Sequence, residues 1–141
     1  TLLDCSQGQV AFVPKHLCQA YLYSYRGTHD DVLQINRDGS LFEVIVTASK
    51  ENQSELLEFL LKKGVDINGL DERVGNSPLH AAVLDNALDM TELFLQHGAS
   101  PLIKDKKRGL TPLELALQLQ GQQGQPDRGA IIKLLASATT N

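Results

Sequence analysis

A six-residue phrase occurs twice in this chain, and its spacing constrains the fold more than any other feature. SPLHAA occupies residues 77–82 and TPLELA occupies residues 111–116, an offset of 111 − 77 = 34 residues. Gly64 and Gly98 keep the same spacing, so a third, more degenerate copy is expected to begin near Glu43. A unit of this length predicts a stack of repeats, each of which buries its apolar face against its neighbours.

Each unit is predicted to contain two short helices. The second helix of the first unit has an apolar stripe at helical spacing and ends at Gly64, which suits the left-handed position after a helix. That stripe is Leu56, Leu57, Leu60 and Leu61. In the third unit Thr111, Pro112 and Glu114 supply an N-cap, a first-turn proline and a capping box. Ser77, Pro78 and His80 occupy the same places in the second unit.

The turn between paired helices and the start of the first unit are less clear. Asn52 and Asn86 lie 34 residues apart, and asparagine tolerates a left-handed backbone, so both are expected at positive φ between helices. For residues 32–47, Asp38-Gly39 between β-branched runs indicates a hairpin. The repeat register instead places a helix over about 41–49, and we adopt the helix because packing commonly overrides local preference.

The two phrases, together with the junctions LLKKGVDIN and FLQHGASPL, resemble ankyrin-repeat sequence over about residues 41–136. The resemblance implies an all-α, L-shaped stack of helix–turn–helix units, with repeats at about 41–74, 75–108 and 109–136. Residues 1–40 do not match and are expected to form an N-terminal capping segment with a helix over about 14–26. The Gln- and Gly-rich residues 120–127 are expected to form a flexible loop, followed by a helix over about 128–136 with Asp127 as N-cap. Residues 137–141 are expected to be a frayed tail.

Composition limits the classes of function. The chain has 141 residues and a net charge of −4, which fits one soluble domain, expected to be monomeric, and gives no reason to expect nucleic-acid or membrane binding. Cys5 and Cys18 are expected to be reduced thiols, with one disulfide as the alternative, so the protein is expected in the cytoplasm or the nucleus. The first residue is Thr1, and we expect the chain to be a segment of a longer protein.

No catalytic motif is evident in the sequence. It contains no G-x-S-x-G, H-E-x-x-H or phosphate-binding glycine loop, so we expect no enzyme activity, no cofactor and no metal. The resemblance implies that the His80 imidazole ties adjacent repeats together by bonds to backbone. His97 is expected to be exposed near the carbonyl end of a helix.

Binding residues are expected on the loops that precede the two phrases. These loops, called the first and second fingers, read DERVGN at residues 71–76 and DKKRGL at residues 105–110. The resemblance implies that such tips and the exposed face of the inner helices form a concave binding surface. The residues expected to contact a partner there are Arg73, Val74, Asn76, Leu84, Asp85, Lys106, Lys107, Arg108, Leu110, Gln118 and Leu119. Leu84 and Leu119 could equally pack against the neighbouring repeat.

The second finger has the more distinctive charge. Lys104, Lys106, Lys107 and Arg108 surround one carboxylate, Asp105. This basic tip on an acidic protein favours an acidic or phosphorylated partner segment, with a merely solvated loop as the alternative. The function expected is a non-catalytic adaptor or scaffold that binds another protein. The alternatives are a regulatory ankyrin segment of a larger enzyme or signalling protein, and a small inhibitor or effector that occludes a partner's site.

Overall fold

The computed structural model describes residues 29–140, with side chains from residue 32, and this part of the chain is helical without strands. The helices are α1 His29–Asp38, α2 Leu41–Val46, α3 Lys50–Lys62, α4 Pro78–Leu84, α5 Leu88–Gln96, α6 Pro112–Gln120 and α7 Gly129–Thr140. The predicted all-α class is confirmed, and the hairpin alternative for residues 32–47 is wrong. The helix predicted over 14–26 and both cysteines lie outside the described residues.

The helices form two layers. The inner helices α2, α4 and α6 pack side by side, and α3, α5 and α7 cover them as outer helices. The first apolar core lies between the first two helix pairs and includes Val32 and Ile35 of α1. A second core joins Val83 of α4 to Leu115, Ala116, Ile131 and Leu135. None of the helices in residues 29–140 is both long and apolar enough to cross a membrane.

Local capping starts the inner helices where the sequence predicts. Thr111 Oγ1 accepts the Glu114 N–H at 3.2 Å, while the Glu114 carboxylate accepts the Thr111 N–H at 2.8 Å. Ser77 and His80 form the corresponding pair at the start of α4, with the imidazole in the place of the carboxylate. Both capping boxes are therefore confirmed, and they fix the first turn of α4 and of α6.

The turn within the first repeat departs from the 34-residue register. Asn86 has φ 53° between α4 and α5, as predicted, but Asn52 lies inside α3. Here the turn falls at 47–49, with Ser49 as N-cap. The reason is that α3 has 13 residues against nine in α5, and four extra residues are about one helical turn. The apolar stripe therefore stays on the same face while the turn moves.

The C-terminal helix differs slightly from the expectation at its start and more at its end. Residues 121–127 are exposed, and α7 begins at Gly129, with Asp127 Oδ1 accepting the Gly129 N–H at 2.9 Å. Residues 137–140 were predicted to form a tail, but they belong to α7, which continues to Thr140. The hydroxyl groups of Thr139 and Thr140 donate to the carbonyls of Leu135 and Ser137.

Candidate functional site

An aspartate organises the first finger. The backbone N–H of Asp71 donates to the Asn76 carbonyl at 3.0 Å and closes the loop. The Asp71 carboxylate accepts the N–H groups of Arg73, Val74 and Asn76 at 2.9, 2.7 and 3.1 Å. These bonds converge on one side chain and hold the loop in a defined shape. Arg73 and Val74 are exposed at its tip.

The second finger repeats this design around Asp105, which is only 2% exposed. Asp105 Oδ1 accepts the N–H groups of Arg108 and Leu110 at 3.0 and 3.1 Å, and Arg108 donates to Oδ2 at 3.2 Å. Burial alone would raise the pKa of Asp105, but bonds from the Leu110 and Arg108 backbone, with the charge of the Arg108 guanidinium, hold it below its usual range. Asp105 is therefore an ionised part of the loop's frame.

The bonds around Asp105 leave the tip of the second finger with less free positive charge than the sequence predicts. The guanidinium of Arg108 is paired with Asp105, so Arg108 is less available to a partner than predicted. Lys104, Lys106 and Lys107 are exposed and carry the positive charge of the tip. The backbone N–H of Lys106 also donates to the Gly75 carbonyl at 3.1 Å, so the two fingers lie side by side.

His80 joins the second repeat to the third. It is fully buried, with Nδ1 receiving the Ser77 N–H at 3.3 Å and Nε2 lying 2.7 Å from the Leu110 carbonyl. Since a carbonyl can only accept, Nε2 carries the proton and the ring is neutral. Burial lowers the pKa of His80 below its ordinary value of 6.5, and the Leu110 bond and the Asp105 charge oppose that effect only in part.

We expect this histidine to make the stack sensitive to mild acid. The unfolded chain takes up the proton more readily than the folded chain, so stability is complete above pH 6.5 and falls as the pH drops from 6.5 toward the folded pKa. His80→Gln keeps a capping-box side chain but does not titrate. Urea unfolding of both proteins at several pH values measures this, and equal pH dependence in the two would contradict the assignment.

The first finger and the first two inner helices enclose a groove of about 190 Å³. Four of the predicted partner-binding residues meet there, namely Val74, Asn76, Leu84 and Asp85. Val74 and Asp85 are exposed and Leu84 is half-buried, as a binding groove requires. Asn76 differs from the expectation, because it is 8% exposed. Its Oδ1 atom is buried and has no hydrogen-bond partner among the described residues.

The comparison with known proteins agrees with this architecture. A family model described as ankyrin repeats (3 copies) matches residues 45–140, which is more than half of the chain. The chain belongs to the ankyrin-repeat family. The predicted resemblance is confirmed, and the His80 bond to Leu110 is the inter-repeat tie that the resemblance implies.

Several curated relatives match one part of this chain each. It is 38% identical over 73 residues to the 2-5A-dependent ribonuclease of Homo sapiens, covering 52% of this chain and 10% of that protein. It is 36% identical over 94 residues to the potassium channel AKT1 of Oryza sativa subsp. indica, covering 67% of this chain and 9% of that protein. It is 39% identical over 77 residues to the B-cell lymphoma 3 protein homolog of Mus musculus, covering 48% of this chain and 17% of that protein. The chain spans at most 17% of the length of these three relatives.

Three further predicted residues, Leu110, Gln118 and Leu119, lie in the third ankyrin repeat and do not line the groove. Gln118 is exposed on α6. Leu119 and Leu84 are both partly buried against the second core, which supports the packing alternative for them while leaving part of each side chain accessible. Leu110 is half-buried, and its carbonyl is taken by His80.

Three residues that shape this part of the structure were not predicted. Glu43 lines the groove from α2, and the displaced first-repeat turn is the reason that the register does not identify it. Leu117 is 52% exposed on α6. Arg128 is buried and donates to the carbonyls of Val83 and Leu84 at 2.9 and 3.0 Å. No sequence motif marks it, since its partners are about 45 residues away.

The predicted exposure of His97 is wrong. Its side chain is 15% exposed, and its Nδ1 atom lies 2.8 Å from the Leu93 carbonyl. The Nε2 atom lies 3.5 Å from Glu58 of α3. The residue therefore links the outer helices of two repeats and takes no part in the inner-helix face.

Proposed function

We propose that this ankyrin-repeat chain binds another protein along its two fingers and the exposed face of its inner helices, and that it catalyses no reaction. The observation that carries the proposal is the continuity of this surface. The aspartate-framed fingers are joined by the Lys106–Gly75 backbone bond, and the groove adjoins the first of them. A preformed surface of this kind loses little conformational entropy on binding.

The partner segment at the second finger is proposed to be acidic or phosphorylated. Lys104, Lys106 and Lys107 are exposed on one loop, and Asp105 is buried and already paired with Arg108. Exposed cations at the edge of an interface act mainly by steering an oppositely charged partner, and salt weakens the effect. The proposal places the protein in the cytoplasm or nucleus as a monomer, which cell fractionation and sedimentation would test.

We expect Lys106→Glu/Lys107→Glu to weaken binding of a captured partner on the order of tenfold at low salt, and less at high salt. The partner is first captured with the tagged protein and identified by mass spectrometry, and its affinity is then measured by titration calorimetry. Arg108 is left unchanged because a charge reversal there would disturb the Asp105 frame.

The matched control for this experiment is Lys62→Glu/Lys133→Glu, which makes the same charge change on exposed residues of α3 and α7. It is expected to bind as the unmodified protein does. Equal affinities for all three proteins would refute a role for the basic finger.

A second candidate function is regulatory contact within a larger enzyme or signalling protein. It is favoured by relatives such as a ribonuclease and a potassium channel, in which the similarity is confined to about a tenth of the protein. A full reading frame that encodes a catalytic or channel domain would favour this candidate.

A further inference from the structure

The groove beside the first finger differs in charge from the second finger. Three carboxylates line it, those of Glu43, Asp71 and Asp85, and no lysine or arginine is among the described residues that line it. Asp71 uses its oxygens to hold the finger. Glu43 and Asp85 are exposed, so their negative charges face whatever enters the groove.

A second, independent observation comes from Asn76 in the same groove. Its side chain is 92% buried and its Oδ1 atom finds no hydrogen-bond partner within the described part of the chain. Buried polar atoms nearly always have a hydrogen-bond partner, because leaving one without a partner destabilises the fold. An unsatisfied acceptor favours a hydrogen-bond donor, and the carboxylates that line the same groove favour a donor with positive charge.

We propose that this groove binds an arginine side chain of a basic segment in the protein partner. The inference rests on the proposed function and names the partner chemistry that the groove selects. A guanidinium presents five N–H donors in one plane, which suits several acceptors at once: Glu43, Asp85 and Asn76 Oδ1. The apolar stem of arginine packs against the Val74 and Leu84 side chains that form the remaining wall.

The two charge patches also set the direction of the bound segment. The acidic groove contains Asn76 and Val74 of the first finger, and Lys106 of the second finger bonds directly to Gly75. The arginine therefore sits beside the first finger, with the acidic or phosphorylated residues of the partner beside the second. A partner segment that runs in the opposite direction would place its arginine beside the lysines and its acidic residues beside the carboxylates, and these like charges would repel each other.

The experiment titrates the ¹⁵N-labelled chain of residues 1–141 with an N-acetylated, amidated hexapeptide that contains one arginine between leucine and serine residues. Its counterpart carries citrulline, which has the same shape without the charge. Amide shifts are expected at Glu43, Val74, Asn76 and Asp85, and the citrulline peptide is expected to bind about tenfold more weakly. Equal binding of the two peptides, or shifts elsewhere only, would overturn the proposal.

Two variants test the residues individually. Glu43→Gln/Asp85→Asn is expected to weaken the arginine peptide about tenfold, while Glu51→Gln/Glu92→Gln on the outer helices makes the same charge change without effect. Asn76→Leu is expected to weaken binding without lowering the urea midpoint, since it removes a buried atom that has no partner. A purely structural Asn76 would give the reverse, a lower midpoint with unchanged binding, and would overturn its assigned role.

An occupant of the groove other than an arginine of a partner would give different results. Nuclear Overhauser contacts between residues 1–28 and the groove in the free protein would overturn the proposal in favour of the chain's own segment. If the arginine peptide does not bind but Lys106→Glu/Lys107→Glu still weakens the captured partner, the groove proposal fails and the proposed function stands. If the peptide binds but no protein partner is captured, the proposed function fails instead.

Discussion

Gly39→Ala is expected to lower the free energy of unfolding by about 2–5 kcal/mol, from left-handed strain of about 1–2 and overpacking of about 1–3 kcal/mol. Gly39 has φ +64°, and a Cβ atom there would collide with the Cα and backbone nitrogen of Asp71. Backbone atoms cannot turn aside as a flexible side chain can, so the first finger must shift. Both residues line the groove, and the substitution therefore alters the binding surface as well.

The matched control is Gly109→Ala in the second finger. Gly109 has φ +68°, but no described atom lies within 4 Å of an added Cβ, so only the strain of about 1–2 kcal/mol applies. Urea unfolding followed by circular dichroism measures the difference between the two variants. Equal losses would mean that Gly39 is needed for its backbone angle alone and that the close approach to Asp71 has no energetic effect.

Arg128→Met is expected to lower the free energy of unfolding by about 3–6 kcal/mol, because two bonds from a charged donor are worth about 1.5–3 kcal/mol each. Arg128 is 3% exposed, and it donates to the carbonyls of Val83 and Leu84 at the end of α4. The last carbonyls of a helix have no partner within the helix, and a cation also suits that end of the helix dipole. Its removal takes this bond from the Leu84 carbonyl and leaves the Val83 carbonyl with the Asn86 N–H as a partner.

Lys133→Met provides the control, since Lys133 is an exposed cation on the same helix. A surface change of this kind is expected to alter stability by no more than about 0.5 kcal/mol. The two variants are compared by their urea midpoints at neutral pH. If Arg128→Met unfolds at the same urea concentration as Lys133→Met, Arg128 does not secure the third repeat to the second.

The helix starts could be predicted because the bonds that make them are local. Ser77 reaches His80 and Thr111 reaches Glu114, three residues along the chain in both cases. The residue types and their spacing therefore contain all the information that these capping boxes need. Asn86 is a comparable case, since its positive φ depends on the turn in which it sits.

The position of the first-repeat turn could not be predicted in the same way. Moving it from the neighbourhood of Asn52 to Ser49 shifts it by about one helical turn, and Leu56 and Leu60 remain buried in either case. Asparagine inside a helix costs only a few tenths of a kcal/mol. Two registers with the same buried stripe look alike in sequence, and only the packing of α2 against its neighbours distinguishes them.

The candidate site was predicted in part for the same reason. Val74, Leu84 and Asp85 meet at the groove because each belongs to an element that was placed correctly. Glu43 was missed because its helix follows the displaced register. Asn76 was expected to be exposed, but the packing of the finger against the inner helices buries it.

By itself, the sequence determined the all-helical repeat, its 34-residue period, the starts of α4 and α6 and the basic composition of the second finger. Each of these depends on residues within a few positions of one another or on a repeated spacing. Only the tertiary structure decided that Arg128 caps α4 from about 45 residues away, that Asp105 is buried, and that an unsatisfied Asn76 lies in an acidic groove. Those features arise where distant segments pack together and exclude water, which no local pattern of residues records.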